Sequence, residues 1–370
     1  MNTTVTSTQP EDEILFEVIN QVGLITLNRP KVLNALSHGM VHAMAARLDA
    51  WADDAQIRAV VLRGAGEKAF CAGGDIRSLY NSWHEHGKLH HDFFIDEYRL
   101  DYQIHRFAKP YVALMDGIVM GGGMGLAQGA SLRLVTERTR VAMPETGIGL
   151  MPDVGASYFL ARTQRELALY LGITGQSIFS ADTLFCSLAD AFVPHAALAD
   201  LEQALSGIRW SADPQADIYA ALGARPAAPE VPPLFEVLPA LHRHFSAPDV
   251  AAVMQSLSEE SDPRYQEWAQ KTLKTMQTRS PLMMNVTRRQ LLLGRRFDLA
   301  DCFRMELGLV HHCFEDGDFI EGVRALIVDK DNAPQWQRAP SAQAAQQALD
   351  RFFTSPWEPQ QHPLAALGRH

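Results

Sequence analysis

Apolar and polar positions alternate between two regimes along the first two hundred residues. Residues 14–27, ILFEVINQVGLITL, form two apolar-rich runs broken at Asn20–Gly23, a pattern that predicts two short strands around a turn. After Pro30 the spacing lengthens. Met40, Met44, Leu48 and Trp51 fall on one face at helical intervals, and Ser37 can cap the helix they define. That methionine row predicts core rather than a binding surface. AVVLRG (59–64), YVALMDG (111–117) and LRLVT (132–136) are continuous apolar runs of the kind expected when both faces of a strand are buried. Strands alternating with helices predict an α/β layered fold.

The character changes after residue 207. The stretch 209–233 carries Pro226, Pro229, Pro232 and Pro233 within eight positions, which reads as a linker or extended crossing. Beyond it the pattern is helical, with expected caps at Ser246, Asp262 and Ser280. The expected organisation is a disordered tail (1–13), an α/β catalytic core (14–207), a proline-rich crossing (208–234), a helical C-terminal region (235–336) and a helical or flexible tail (337–370).

Composition narrows the function classes. The chain has 370 residues, 47% hydrophobic and 21% charged, without a low-complexity block. Its apolar runs are broken well before membrane-spanning length, so no membrane partner is expected. A formal charge of −10 disfavours a general nucleic-acid surface. Cys71, Cys186, Cys302 and Cys313 are scattered without a C-x-x-C pair and read as reduced thiols. The opening MNTTVTSTQPEDE has neither the basic flank and apolar stretch of a signal peptide nor the composition of a transit peptide, so the expected location is cytoplasmic.

Common catalytic signatures are missing: there is no G-x-G-x-x-G, P-loop, G-x-S-x-G elbow or H-E-x-x-H. The histidines at 84, 86, 90 and 91 lie in a charged stretch without a second ligand set in sequence, so no metal is expected. Two glycine-rich strand ends remain, KAFCAGGDIRSL (68–79) and DGIVMGGGMGLAQGA (116–130). Glycines let a ligand approach the main chain, and the amides that open a helix are unpaired and carry partial positive potential. Two such turns facing one another could donate two N–H bonds to one developing oxyanion. The same glycines would also serve plain helix–strand packing. In MPETGIGLMPDVGASYFL (143–160), Glu145 and Asp153 are candidate acid, base or nucleophile. Each has a plainer alternative: Asp153 as a helix N-cap, Glu145 as a surface turn carboxylate.

With LNRPKVLNAL (27–36), FCAGGDI (70–76), DGIVMGGGMGL (116–126) and MPETGIGLMPDVG (143–155) in this order and spacing, the chain resembles the crotonase (enoyl-CoA hydratase/isomerase) superfamily. The resemblance implies a crotonase-like spiral of ββα units with a helical C-terminal region. It also implies stabilisation of a thioester oxyanion by two backbone amides, those of Gly122 and of either Ala72 or Gly74. By the same analogy coenzyme A runs along the 29–33 loop and the 70–76 turn, with Arg29 or Lys31 as phosphate contacts and Leu33 as a further contact. No separate cofactor is implied, since coenzyme A is part of the substrate.

Two departures narrow the family. Hydratases carry a glutamate shortly after the glycine triplet and a second one twenty residues later; here those positions hold Gly125 and Glu145. Asp153 stands where hydratases commonly have glycine. This pattern is similar to the 3-hydroxyisobutyryl-CoA hydrolase branch. FFIDEYRLDYQI (93–104) supplies Glu97 as a substrate contact, and SPLMMNVTRRQL (280–291) and DFIEGVRALIVDKDNAPQW (318–336) extend the likeness. The resemblance thus implies hydrolysis of a short branched hydroxyacyl-CoA thioester by Glu145 and Asp153. The alternatives are an enoyl-CoA hydratase or isomerase and a non-catalytic acyl-CoA-binding protein. The resemblance leaves the oligomeric state open between a homo-oligomer assembled through the C-terminal helices and a chain whose longer helical region occupies that surface itself.

Overall fold

A computed structural model describes residues 12–228 and 230–369. The tail expected over 1–13 therefore lies outside the described residues except for Asp12 and Glu13, as do Pro229 and the last residue. The chain forms two units. The first draws on Met1–Asp75, Arg99–Val141 and Ile178–Val231, the second on Ile76–Tyr98, Ala142–Ser177 and Pro232–His370. The division is interleaved: the segment bearing Glu145 and Asp153, read above as part of an N-terminal core, belongs with the C-terminal helices.

The first unit contains two sheets. One has six strands: β1 (Ile14–Ile19), β2 (Val22–Leu27), β3 (Ala59–Gly64), β5 (Tyr111–Met115), β7 (Leu132–Val135) and β10 (Ala191–Phe192), in that spatial order. β1 and β2 are an antiparallel hairpin with Ile19 opposite Val22, and the remaining neighbours are parallel. Asn20 and Gln21 both have positive φ (47° and 66°), the backbone of a two-residue turn whose twist suits the flanking strands. The second sheet is β4 (Ala69–Cys71), β6 (Ile118–Met120), β8 (Arg140–Ala142) and β9 (Ile178–Phe179).

Alternation within each strand makes two cores. Val22, Leu24, Ala59, Val61, Val112, Leu114, Leu132 and Leu134 bury one face with Leu201, Leu205, Ile218 and Leu222. The helix His38–Asp53 buries Met40, Met44, Leu48 and Trp51, and the Ser37 side chain caps it by accepting from Met40 N at 3.2 Å. Gly23 is obligatory beneath that helix, since a Cβ there would lie 2.5 Å from the Trp51 ring. The proline-rich stretch is not a bare linker. Pro214–Ala221 is a helix capped by Asp213, and its Ile218 is fully buried in the sheet's core.

The second unit is helical. Pro281–Gly294 packs along Arg165–Thr174, where Gly172 leaves room for the Leu291 side chain. Ser280 caps Pro281–Gly294 through Met283 N at 3.0 Å, as its sequence position predicts. Ser246 instead follows the C-terminus of Pro233–Phe245, and Asp249 caps the next helix. Asp262 opens a single turn ahead of Gln266–Gln277 rather than capping that helix. Among the described residues no helix is long and apolar enough to cross a membrane.

Candidate active site

In the first unit, β6 ends at Met120 and Gly121 turns the chain with φ 50° and ψ −124° into the helix Gly122–Gln128. As the first helical residue, Gly122 has an N–H without an acceptor inside its own helix. The 72–74 turn lies against this point. A Cβ on Gly73, which has φ +106°, would sit 3.6 Å from Gly122 N. Packing accounts for part of the glycine triplet, because a Cβ on Gly123 would lie 2.3 Å from Cys71 O. Of the two amides considered for the facing turn, that of Ala72 is spent on Leu33 O at 3.0 Å. The Gly74 amide has no acceptor among the described residues.

The 29–36 loop is locked from within. Leu33 and Asn34 both have φ 56°. Asn34, fully buried, donates to Ala65 O and Ala69 O and accepts from Arg29 N. The Arg29 guanidinium is occupied by Glu13 (2.9 Å), Asp75 (3.0 Å) and Ala35 O (2.7 Å). It thus ties the loop to the residue after Gly74. Lys31 is exposed on the single turn Pro30–Val32 and remains the cation of that loop open to a ligand.

The second unit gathers the acidic candidates. Glu97 and Tyr98 lie on the helix Leu89–His105, Glu145 opens the turn Glu145–Ile148, and Asp153 precedes a sharp bend at Val154 and Gly155. All four side chains are buried. Tyr98 Oη donates to Asp153 Oδ2 at 2.6 Å. Asp153 is therefore not the N-cap of the following short helix, a place taken by Gly155. Glu145 is no surface carboxylate, being 5% exposed. Glu145 Oε2 and Glu97 Oε1 have no hydrogen-bond partner among the described residues. An unsatisfied buried acceptor costs about 1–3 kcal/mol, and such groups persist where a ligand completes them.

Burial raises every carboxyl here. Glu97 is pushed well above its ordinary value by desolvation, then by the charges of Asp153 and Glu145. Glu145 is raised by desolvation and by Asp153. Asp153 rises to about 7 through desolvation, moderated by the Tyr98 hydrogen bond. Neighbouring carboxylates cannot all ionise in a dry site, so the group shares protons and titrates as a coupled unit. One member can then attack or act as base while another carries the proton to be returned.

Val154 has φ +52°, a conformation costing about 1–3 kcal/mol in a β-branched residue. The bend is held by side chains the sequence did not single out. Glu306 accepts from Gly155 N and Ser157 N, both at 2.7 Å, and Gln290 donates to Pro152 O and to Ser157 Oγ. Tyr98, Gln290 and Glu306 share one faint signal, a polar group at a position the helical pattern turns inward, whereas Asn34 lies in a turn and has none. His91, part of the histidine stretch, sits with His311 and Glu315, their ligand atoms within 4.8 Å of one another.

The chain is similar to known proteins over nearly its whole length. A sequence profile described as enoyl-CoA hydratase/isomerase matches residues 22–353. A Danio rerio protein named 3-hydroxyisobutyryl-CoA hydrolase, mitochondrial, is 39% identical over 94% of this chain and 91% of the relative. The Homo sapiens protein of the same name is 36% identical over 94% and 90%. A carnitinyl-CoA dehydratase structure from Mycobacterium thermoresistibile has a TM-score of 0.84 at 36% identity, covering 94% of this chain and 98% of its own. An enoyl-CoA hydratase structure from Rhodobacter sphaeroides gives 0.83 at 32%, covering 93% and 98%. The fold is the crotonase fold, and the chain belongs to the enoyl-CoA hydratase/isomerase family.

Proposed function

We propose that this chain is an acyl-CoA thioester hydrolase acting on 3-hydroxyisobutyryl-CoA, releasing 3-hydroxyisobutyrate and coenzyme A, as in valine breakdown. The observation that carries this reading is the buried Glu145–Asp153 pair with its unsatisfied Glu145 oxygen. The amides of Gly122 and Gly74 receive the thioester oxygen, and Glu97 accepts from the acyl hydroxyl through its unpartnered Oε1. Lys31 and the 29–33 loop serve the coenzyme A moiety.

The productive state has one proton shared by the pair. The single charge rests on Asp153, the lower of the two; the Glu145 proton passes to Asp153 as Glu145 attacks the thioester carbon, the carbon–sulfur bond breaks and the thiolate takes that proton from Asp153. Water then attacks the Glu145 carbonyl of the mixed anhydride, releasing the acyl carboxylate, while the Asp153 carboxylate accepts its proton. In the alternative route Glu145 takes a proton from water, which attacks the thioester directly. Both routes balance with water alone, so neither calls for a cofactor. Isotopic water separates them, because only the anhydride route places label in the Glu145 carboxylate in a single turnover.

A hydratase reading draws support from the names of the two solved neighbours. It needs two carboxylates to hold and split water, and the first of those positions is Gly125 here. Thiol release decides: a hydrolase frees coenzyme A, whereas a hydratase consumes enoyl absorbance without free thiol. Glu145→Gln and Asp153→Asn, correctly folded, lose thiol release under our reading, and near-wild-type turnover by either sinks it. Four free, buried cysteines suit a reducing compartment, and we place the chain in the cytoplasm, although the vertebrate relatives are named mitochondrial.

A further inference from the structure

The bend that carries Asp153 is closed from within by one backbone bond, Ala156 N to Asp153 O at 2.8 Å. Pro152 has no N–H, Val154 and Gly155 are both left-handed (φ +52° and +86°), and the helix that follows is only Ala156–Phe159. Its polar groups are met by two fully buried side chains from separate helices. Glu306, on Leu299–Glu315, receives one N–H on each carboxylate oxygen, from Ser157 at Oε1 and from Gly155 at Oε2, both at 2.7 Å. Gln290, on Pro281–Gly294, donates to Pro152 O on the other side of Asp153 and to Ser157 Oγ at 2.9 Å. Both helices also press on the bend through atoms. A Cβ on Gly294 would lie 2.0 Å from Ser157 O, and one on Gly155 would lie 3.2 Å from the Phe303 ring. Phe303 in turn packs against Tyr98, with ring centroids 5.4 Å apart. Leu299–Glu315 thus holds the bend through Glu306 and packs, through Phe303, on the tyrosine that bonds Asp153.

We infer that Glu306 and Gln290 are positioning residues that clamp the 152–157 bend from both sides and so fix the Asp153 carboxyl against Tyr98. Neither touches the reacting atoms. Their effect passes through the place and orientation of Asp153, and its consequence for turnover rests on the hydrolase reading. The C-terminal helices then have a role in the reaction: they hold a backbone conformation that Val154 does not adopt unaided. A carboxylate suits the purpose better than an amide. It offers two acceptor oxygens to two N–H groups, whereas glutamine would turn its own N–H toward one of them.

The test uses Glu306→Gln and Gln290→Met in the full chain, each with Tyr98 replaced by 3-fluorotyrosine for a parallel ¹⁹F measurement. A carboxyl displaced by an ångström costs on the order of a hundredfold in rate. The expected result is a kcat reduced about tenfold to a hundredfold with KM changed less than about threefold. The Tyr98 fluorine resonance moves toward the position it takes in Asp153→Asn. Wild-type kcat in both variants, or a loss of kcat with the resonance unmoved, overturns the clamp. Should Glu306→Gln fail to fold, Gln290→Met carries the test, since it keeps side-chain volume and removes only the amide bonds. A wild-type protein that frees no thiol would defeat the hydrolase reading alone, and the fluorine shift would still decide the clamp.

Discussion

Removing a single oxygen at Tyr98 gives the sharpest check on how the carboxyl pair is tuned. The phenol donates to Asp153 Oδ2 at 2.6 Å in a fully buried setting, and this bond pulls the Asp153 carboxyl down against the larger upward push of burial. Tyr98→Phe keeps the ring and its packing on Phe303. A hydrogen bond to a charged group is worth about 1.5–3 kcal/mol, and about 1.4 kcal/mol corresponds to one pKa unit. Its loss therefore raises the first ionisation of the pair from about 7 by roughly one to two units. The sign is fixed: the bond favours the charged form, so deleting it favours the proton.

The assay is kcat against pH, followed by thiol release. The reaction needs one negative charge on the pair, so the acid limb reports that first ionisation. In Tyr98→Phe the limb moves to higher pH by about one to two units, and the rate well below the new midpoint falls about tenfold to a hundredfold. The alkaline plateau recovers to within a few-fold. An unmoved limb, or one displaced to lower pH, would refute the assignment of Asp153 as the carboxyl tuned by Tyr98.

Three further outcomes follow from the same geometry. Gly73→Ala places a Cβ at φ +106° beside Gly122 N, so kcat should fall about a hundredfold or more if that amide holds the oxyanion, measured by steady-state thiol release. Global stability should decline as pH rises from about 4 to about 7. Asp153, whose folded value of about 7 lies above its unfolded one, retains its proton through that window only in the native state, and Glu145 and Glu97 act in the same direction. Denaturant midpoints across that range check this, with a flatter profile in Glu97→Gln. Finally, Glu97→Leu should narrow the preference for hydroxylated over unsubstituted acyl-CoA in kcat/KM, because the buried acceptor that penalises a missing hydroxyl is gone.

Much of the fold was legible where one period dominated. The strands β2, β3, β5 and β7 are continuous apolar runs, and the helix after Ser37 begins at its cap with the predicted face inward. Helix ends were less so. Ser246 and Asp262 have the chemistry of caps but fall after one helix and before an extra turn, a difference set by tertiary packing rather than by residue type. Ile218 shows the same limit, since prolines around it signalled an extended crossing while the sheet's core needed an apolar cover. In the site, residue types could nominate Glu145 and Asp153 but not their surroundings. Asn34, Tyr98, Gln290 and Glu306 act through hydrogen bonds spanning up to 151 positions, for which local sequence has no period.

The choice between hydration and hydrolysis is finally a question of how many protons a fixed set of carboxyls holds. A backbone oxyanion site serves an enolate or a tetrahedral intermediate equally well, so the glycine turns set no preference between them. Adding water across a double bond asks two carboxylates to orient one water. Cleaving a thioester asks one group to attack or deprotonate and another to return a proton to sulfur. In this chain the carboxyls are buried together, all raised, and one is lowered selectively by Tyr98. That asymmetry rests the single charge on Asp153, so that under the proposed mechanism Glu145 attacks only as its proton passes to Asp153 for return to sulfur. On the proposed reading, the carboxyl at 153 discriminates the two reactions only in company: without the phenol that tunes it and the bend that holds it, an aspartate at this position would be one more protonated acid in a dry pocket.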